Sequence, residues 1–170
     1  MLSKKLLRAM NDQINKEIYS AYLYYSMEAY FHSMNLPGFA NWMNVQALEE
    51  LTHAMKFFNF INERRGRVLI DKAIDAPPTN WKTPKHVFEE SFKHEQLVTA
   101  SINNLVKIAK EENDYASDVF LNWFVTEQVE EESSFDGVLQ KLAMVKDQPG
   151  GLFMLDKEMA ARVFTPPAAE

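Results

Sequence analysis

Glu17, Glu50 and Glu95 each stand where an apolar residue is expected, and so does the pair Gln128 and Glu131. At alternating spacings of three and four, Leu7, Met10, Ile14, Glu17, Ala21 and Tyr24 share one helical face. A second face reads Ala40, Met43, Ala47, Glu50, Ala54, Phe57, Ile61. A third reads Phe88, Phe92, Glu95, Thr99, Ile102, Val106, Ala109. The fourth reads Leu121, Phe124, Gln128, Glu131, Phe135, Val138, Leu142, Val145. Stripes of this kind face the core of a helix bundle. Each carries a carboxylate within about one turn of its segment's midpoint. In an antiparallel bundle the midpoints meet at one level, so the acids converge. His53 sits beside Glu50, because residues three apart share a face.

Charge then dictates chemistry. An ionised carboxylate buried alone is very costly, and four together also repel. No Lys or Arg lies on the stripes near them, and neutralising several adjacent acids by protonation needs strongly raised pKa values. Divalent cations remove the problem directly. Four carboxylates and one imidazole suit iron or manganese, with zinc a competitor, and two metals with bridging carboxylates fit the ligand number. Paired metals in bundle cores are held by two Glu-x-x-His motifs. Here one is intact, Glu50-Leu51-Thr52-His53, and the other reads Gln128-Val129-Glu130-Glu131. One Glu on a stripe is weak evidence, whereas five coincidences at one depth are not. Spacing alone reads Glu49, Glu127, Glu130 and Glu132 as a solvated face. Tyr24 is core or donates an electron or hydrogen bond near the metals, and Trp123 reads as core rather than as a redox partner. His32, His86 and His94 read as surface or helix-end residues, and Glu28 has no role.

The elements that position these residues follow from sparse punctuation. Stops fall at Asn35-Leu36-Pro37-Gly38, Arg65-Gly66, Glu112-Asn113-Asp114 and Gln148-Pro149-Gly150-Gly151, and Thr83-Pro84 is a helix start. Between them lie helices at roughly 4–34, 38–65, 84–112 and 115–147, each about 40–45 Å long, then a short one at about 152–163. The first and third linkers are short and join antiparallel neighbours. The second, about 66–83, crosses the length of the bundle. The expected fold is all-α: a ferritin-like four-helix bundle with one long crossover and a short C-terminal fifth helix. Residues 1–147 form the bundle, 148–164 the turn and fifth helix, and 165–170 a flexible tail. The 170 residues hold 46% apolar and 25% charged residues, no Cys, and a net charge of −6. That excludes disulfides, thiolate metal sites and a cysteine nucleophile. It disfavours nucleic acid and anionic membranes as partners. No segment reads as a signal peptide or membrane span, so a soluble cytoplasmic protein is expected.

The chain resembles a bacterial non-haem ferritin over roughly 1–164. The likeness is carried by Asn15-Lys16-Glu17-Ile18-Tyr19-Ser20-Ala21-Tyr22-Leu23-Tyr24, by Ala47-Leu48-Glu49-Glu50-Leu51-Thr52-His53, by Phe92-Lys93-His94-Glu95-Gln96-Leu97 and by Trp123 to Glu132. Gly151-Leu152-Phe153-Met154-Leu155-Asp156-Lys157-Glu158 resembles the start of that family's fifth helix. The resemblance implies an iron-storing ferroxidase that binds two Fe(II), oxidises them with dioxygen or hydrogen peroxide, and keeps Fe(III) as mineral. Glu17, Glu50 and His53 would form the first iron site. Glu50 would bridge to a second, completed by Glu95 and Glu131, with Gln128 close by. Glu49, Glu127, Glu130 and Glu131 match a third site, and Tyr24 the family's site-adjacent tyrosine. Bacterioferritins carry His at the position of Glu131 and a haem-ligating Met at that of Leu51, so no haem is expected. The fifth-helix face Leu152, Leu155, Met159, Val163 must be buried against something. The family implies copies of itself in a 24-subunit cage. The alternative is a di-metal oxidase or peroxidase on the same bundle without a storage role.

Overall fold

The computed structural model describes residues 1–146 and 148–166. Five helices follow in order: α1 (Lys4–Ser33), α2 (Pro37–Glu63), α3 (Pro84–Glu111), α4 (Tyr115–Val145) and α5 (Pro149–Met159). Side chains start three of them. The Ser3 Oγ accepts from the Leu6 N–H, the Thr83 hydroxyl from that of His86, and the Asp114 carboxylate from that of Ser117. Each satisfies an amide that the first turn leaves free.

Helix ends use an unusual device for a Gly-poor chain. Asn35, Arg65, Asn113 and Lys146 have φ between 47° and 57°, each just past a helix. Three of these residues are followed by an amide that bonds back into the last turn. Leu36 N–H donates to Phe31 O (3.1 Å), Gly66 N–H to Ile61 O (2.8 Å) and Asp114 N–H to Ala109 O (2.9 Å). These bonds close orphan carbonyls and turn the chain sharply.

Two short turns make α1 with α2, and α3 with α4, antiparallel hairpins, and the stretch from 64 to 83 carries the chain back across the bundle. The stripe read along 40–61 is buried throughout, and the one along 121–142 likewise. In α1 the stripe begins one residue earlier, at Leu6, while Leu7 is half-buried. In α3, Phe92, Thr99 and Val106 are half-buried, and Ser91, Val98 and Leu105 take core positions. A straight helix drifts against a strict seven-residue repeat, and that drift rotates the buried seam.

The core has two apolar halves. One gathers Tyr24, Met27, Phe31, Phe39, Phe88 and Phe135. The other gathers Leu6, Met10, Phe57, Ile61, Ile102 and Phe124. In each helix the carboxylate position falls between the residues of one half and those of the other.

The short helix departs from expectation. Pro149 occupies its first turn instead of stopping the chain, because the proline's missing N–H has no partner there anyway. α5 ends at Met159, so Val163 lies outside it, 77% exposed. Leu155 and Met159 are buried within this same chain, in the core half that contains Phe39 and Leu142. Neighbouring copies are therefore not needed to cover them. Asp156 tethers the element: its Oδ1 accepts from the Phe39 N–H at 2.9 Å and caps α2, which lacks a side-chain cap of its own. Asp147 and residues 167–170, part of the expected tail, lie outside the described residues.

Candidate metal centre

Four helices deliver one buried belt of polar groups. Glu17 comes from α1, Glu50 and His53 from α2, Glu95 from α3, and Gln128 and Glu131 from α4, all 4% exposed or less. Ligand atoms of Glu17, Glu50 and His53 lie within 4.8 Å of one another, and so do those of His53, Glu127 and Glu131. His53 Nδ1 is 3.4 Å from Glu50 Oε2, and its Nε2 is 3.7 Å from Glu127 Oε1. The edges of Trp123 and Phe124 wall the imidazole, with ring centres 5.5 and 6.0 Å away.

Two glutamines orient the acids. Gln13 donates to Glu17 Oε1 at 2.9 Å, and its own oxygen accepts from Ser101 at 2.5 Å. Gln46 donates to Glu131 Oε2 at 2.8 Å and Glu50 Oε1 at 3.3 Å. Glu95 has both oxygens engaged, Oε1 by the Tyr24 hydroxyl and Oε2 by Gln128 Nε2 at 3.2 Å. By contrast Glu17 Oε2 and Glu50 Oε2 are buried without a hydrogen-bond partner. Buried polar atoms are rarely left so. Two orphaned carboxylate oxygens facing one imidazole fit a hard or borderline divalent cation.

The electrostatics agree. Burial, and then the charge of Glu50, pushes the Glu95 carboxyl up to about 8. Burial likewise raises Glu17, Glu50 and Glu131 above the ordinary carboxyl value. Burial pulls His53 down, but contacts with Glu127 and Glu50 and the charges of Glu50 and Glu17 outweigh it, so the imidazole holds its proton far above its usual range. Burial and the neighbouring acids raise the Tyr24 phenol, which stays a donor.

Of the four acids expected around a third site, Glu127 and Glu131 stand together beside His53. Glu130 is exposed, Glu127 faces His53, and the Glu49 carboxylate is held by Arg162 at 2.5 Å. His94, read as a surface or helix-end residue, is partly buried instead. Its Nε2 is 2.7 Å from Ser20 Oγ, its ring meets the edge of Tyr24, and burial pulls its pKa to about 4. Gln13, Gln46 and Arg162 did not stand out in the sequence. The glutamines do leave a signal, since each precedes a core Glu by four residues and shares its face. Arg162 leaves none, because it follows the last helix.

An all-α bundle with one crossover and a buried carboxylate–imidazole belt defines the ferritin-like class of metal proteins. Residues 7–145 match the model of the ferritin-like domain. A bacterial non-heme ferritin of Staphylococcus aureus is 42% identical over 164 residues, 96% of this chain and 98% of that one. A probable bacterial non-heme ferritin-like protein of Haemophilus influenzae is 40% identical over 159 residues, 94% and 96% of the two chains. An engineered closed form of the Archaeoglobus fulgidus ferritin superposes with a TM-score of 0.95 at 49% identity, covering 97% of this chain and all of that one. The chain belongs to the ferritin family, and its function is iron storage with ferroxidase activity.

Proposed function

We propose that two Fe(II) ions bind in the central belt. Glu17, Glu50 and His53 hold one. Glu50 bridges to the other, which Glu95 and Glu131 complete, with Gln128 beside it. The carrying observation is the pair of unpartnered buried oxygens on Glu17 and Glu50 against His53. Each Fe(II) gives up one electron. Dioxygen takes the pair with two protons and leaves as hydrogen peroxide, or hydrogen peroxide takes them with two protons and leaves as two waters. Carboxylates favour the trivalent product, because hard oxygen anions bind the higher charge better. Gln13 and Gln46 fix the acids, and Tyr24 and Gln128 hold Glu95 in place.

Glu49, Glu127, Glu130 and Glu131 form a third iron site through which ions pass or wait. Self-assembly is a family property of the fold, and we take the assembly to be a 24-subunit cage in the cytoplasm whose interior holds the mineral. Among the described residues no helix is long and apolar enough to cross a membrane. Aerobic Fe(II) titration of Glu17→Ala and His53→Ala tests the site. Both variants are expected to lose the fast oxidation of the first two ions per subunit, and wild-type traces in both would overturn the assignment. A native mass far from 24 subunits would overturn the cage.

A further inference from the structure

We infer that Arg162 is an internal counter-ion of the third iron site: its guanidinium holds Glu49 away from the metal cluster until a cation takes its place. The inference rests on the third-site reading above and adds a residue to it.

Arg162 follows α5 and returns over the start of α2. Asn41 Nδ2 donates to its carbonyl at 2.9 Å, which pins the backbone there. The side chain then reaches inward across Trp42, its Cζ 4.0 Å from the ring centre. Nη2 donates to Glu49 Oε2 at 2.5 Å, and Nη1 to Gln46 Oε1 at 2.8 Å. The guanidinium is thus committed to three partners at fixed geometry, as its planar fork allows. Glu49 adjoins Glu50 in sequence, yet it is absent from the His53, Glu127 and Glu131 group whose ligand atoms lie within 4.8 Å. The Arg162 pair accounts for that. The guanidinium competes with a cation for the Glu49 carboxylate, and the two positive charges repel at close range.

Loading the third site therefore displaces the guanidinium from Glu49 and from the face of Trp42. The first two ions, bound deeper, leave it in place. The bond to Gln46 gives the same arginine a hold on the amide that orients Glu50 and Glu131, so the segment after α5 and the metal belt are mechanically joined.

Zn(II), which undergoes no redox change, tests this without turnover. Binding is followed by calorimetry on the metal-free assembly, alongside Trp42 emission in a Trp81→Phe, Trp123→Phe background. Wild type is expected to show two tight steps and one weaker step, and Glu49→Gln to lose only the weaker one. In Arg162→Gln that step should tighten roughly tenfold, within the range of typical coupling between sites. Trp42 emission should change only as the weaker step fills, and not at all in Arg162→Gln. Arg162→Lys keeps the charge without the fork and should tighten the step less. It carries the test if Arg162→Gln does not assemble. An unchanged weaker step in the arginine variants, with Glu49→Gln abolishing it, overturns the inference and leaves the site standing. An isotherm unaffected by Glu49→Gln overturns the third-site reading itself.

Discussion

At the scale of residues, the centre is a set of acids made tolerable by donors. Glu17 shows the balance most plainly. One oxygen is satisfied by Gln13, the other by nothing in the protein. Replacing Gln13 with Met keeps the volume and removes the donor. A buried acceptor deprived of its partner costs about 1–3 kcal/mol. The denaturant midpoint of the metal-free Gln13→Met protein should fall accordingly, with an unchanged midpoint showing that the amide is dispensable. The ligand types were legible in the sequence because a carboxylate on an apolar stripe demands an explanation. The glutamines were overlooked because an amide on a stripe demands a weaker one. His94 was misread for a different reason. Its burial comes from the packing of α3 against α1, where Tyr19, Tyr24 and Ser20 enclose it.

At the scale of elements, four long helices and the crossover could be read from punctuation, since Pro and the few Gly residues mark most ends. What could not be read is how the ends are closed. Arg65 sits at φ 57°, exposed, where a Cβ strains the backbone. Arg65→Gly should therefore stabilise the protein by about 1 kcal/mol, the approximate cost of a left-handed non-glycine residue. Thermal unfolding reads this directly, and a loss of stability would show that the side chain contributes more than the strain costs. α5 offers the converse case. Asp156 supplies a cap that α2 lacks, and Gly38 lets the two elements meet, since a Cβ there would lie 1.7 Å from the Asp156 carbonyl oxygen. Asp156→Ala should cost about 1 kcal/mol, as capping substitutions do. Gly38→Ala should cost more, because the backbone must separate. Hydrogen exchange of 149–159 should quicken in both, and unchanged exchange would place the docking of α5 elsewhere.

At the scale of the whole molecule, the belt sets stability against function, and the conflict has a sign. Glu95 titrates at about 8 in the folded protein, against an ordinary carboxyl value of 4.5. The folded state therefore binds this proton more tightly than the unfolded chain does. Its contribution is complete below about 4.5 and drains away as pH rises through 8. Glu17, Glu50 and Glu131 are shifted the same way, as is His53, whose stabilising proton is also lost on raising the pH. The metal-free protein should thus lose thermal stability between about pH 5 and pH 8, the range in which globular proteins are usually most stable. Glu95→Gln, which cannot ionise, should lose less. A redox-inert divalent ion reverses the trend, because it binds the deprotonated ligands of the folded state alone. At a hundredfold excess over its dissociation constant, each site adds about 2.7 kcal/mol. For a chain of this length that raises the midpoint by about 5–10 °C per site. Zn(II) should accordingly stabilise strongly at pH 8 and weakly at pH 5, where protons compete for the same oxygens. A metal-free protein that grows steadily more stable up to pH 8, with Glu95→Gln behaving identically, would mean that the acids do not share a dry interior at all.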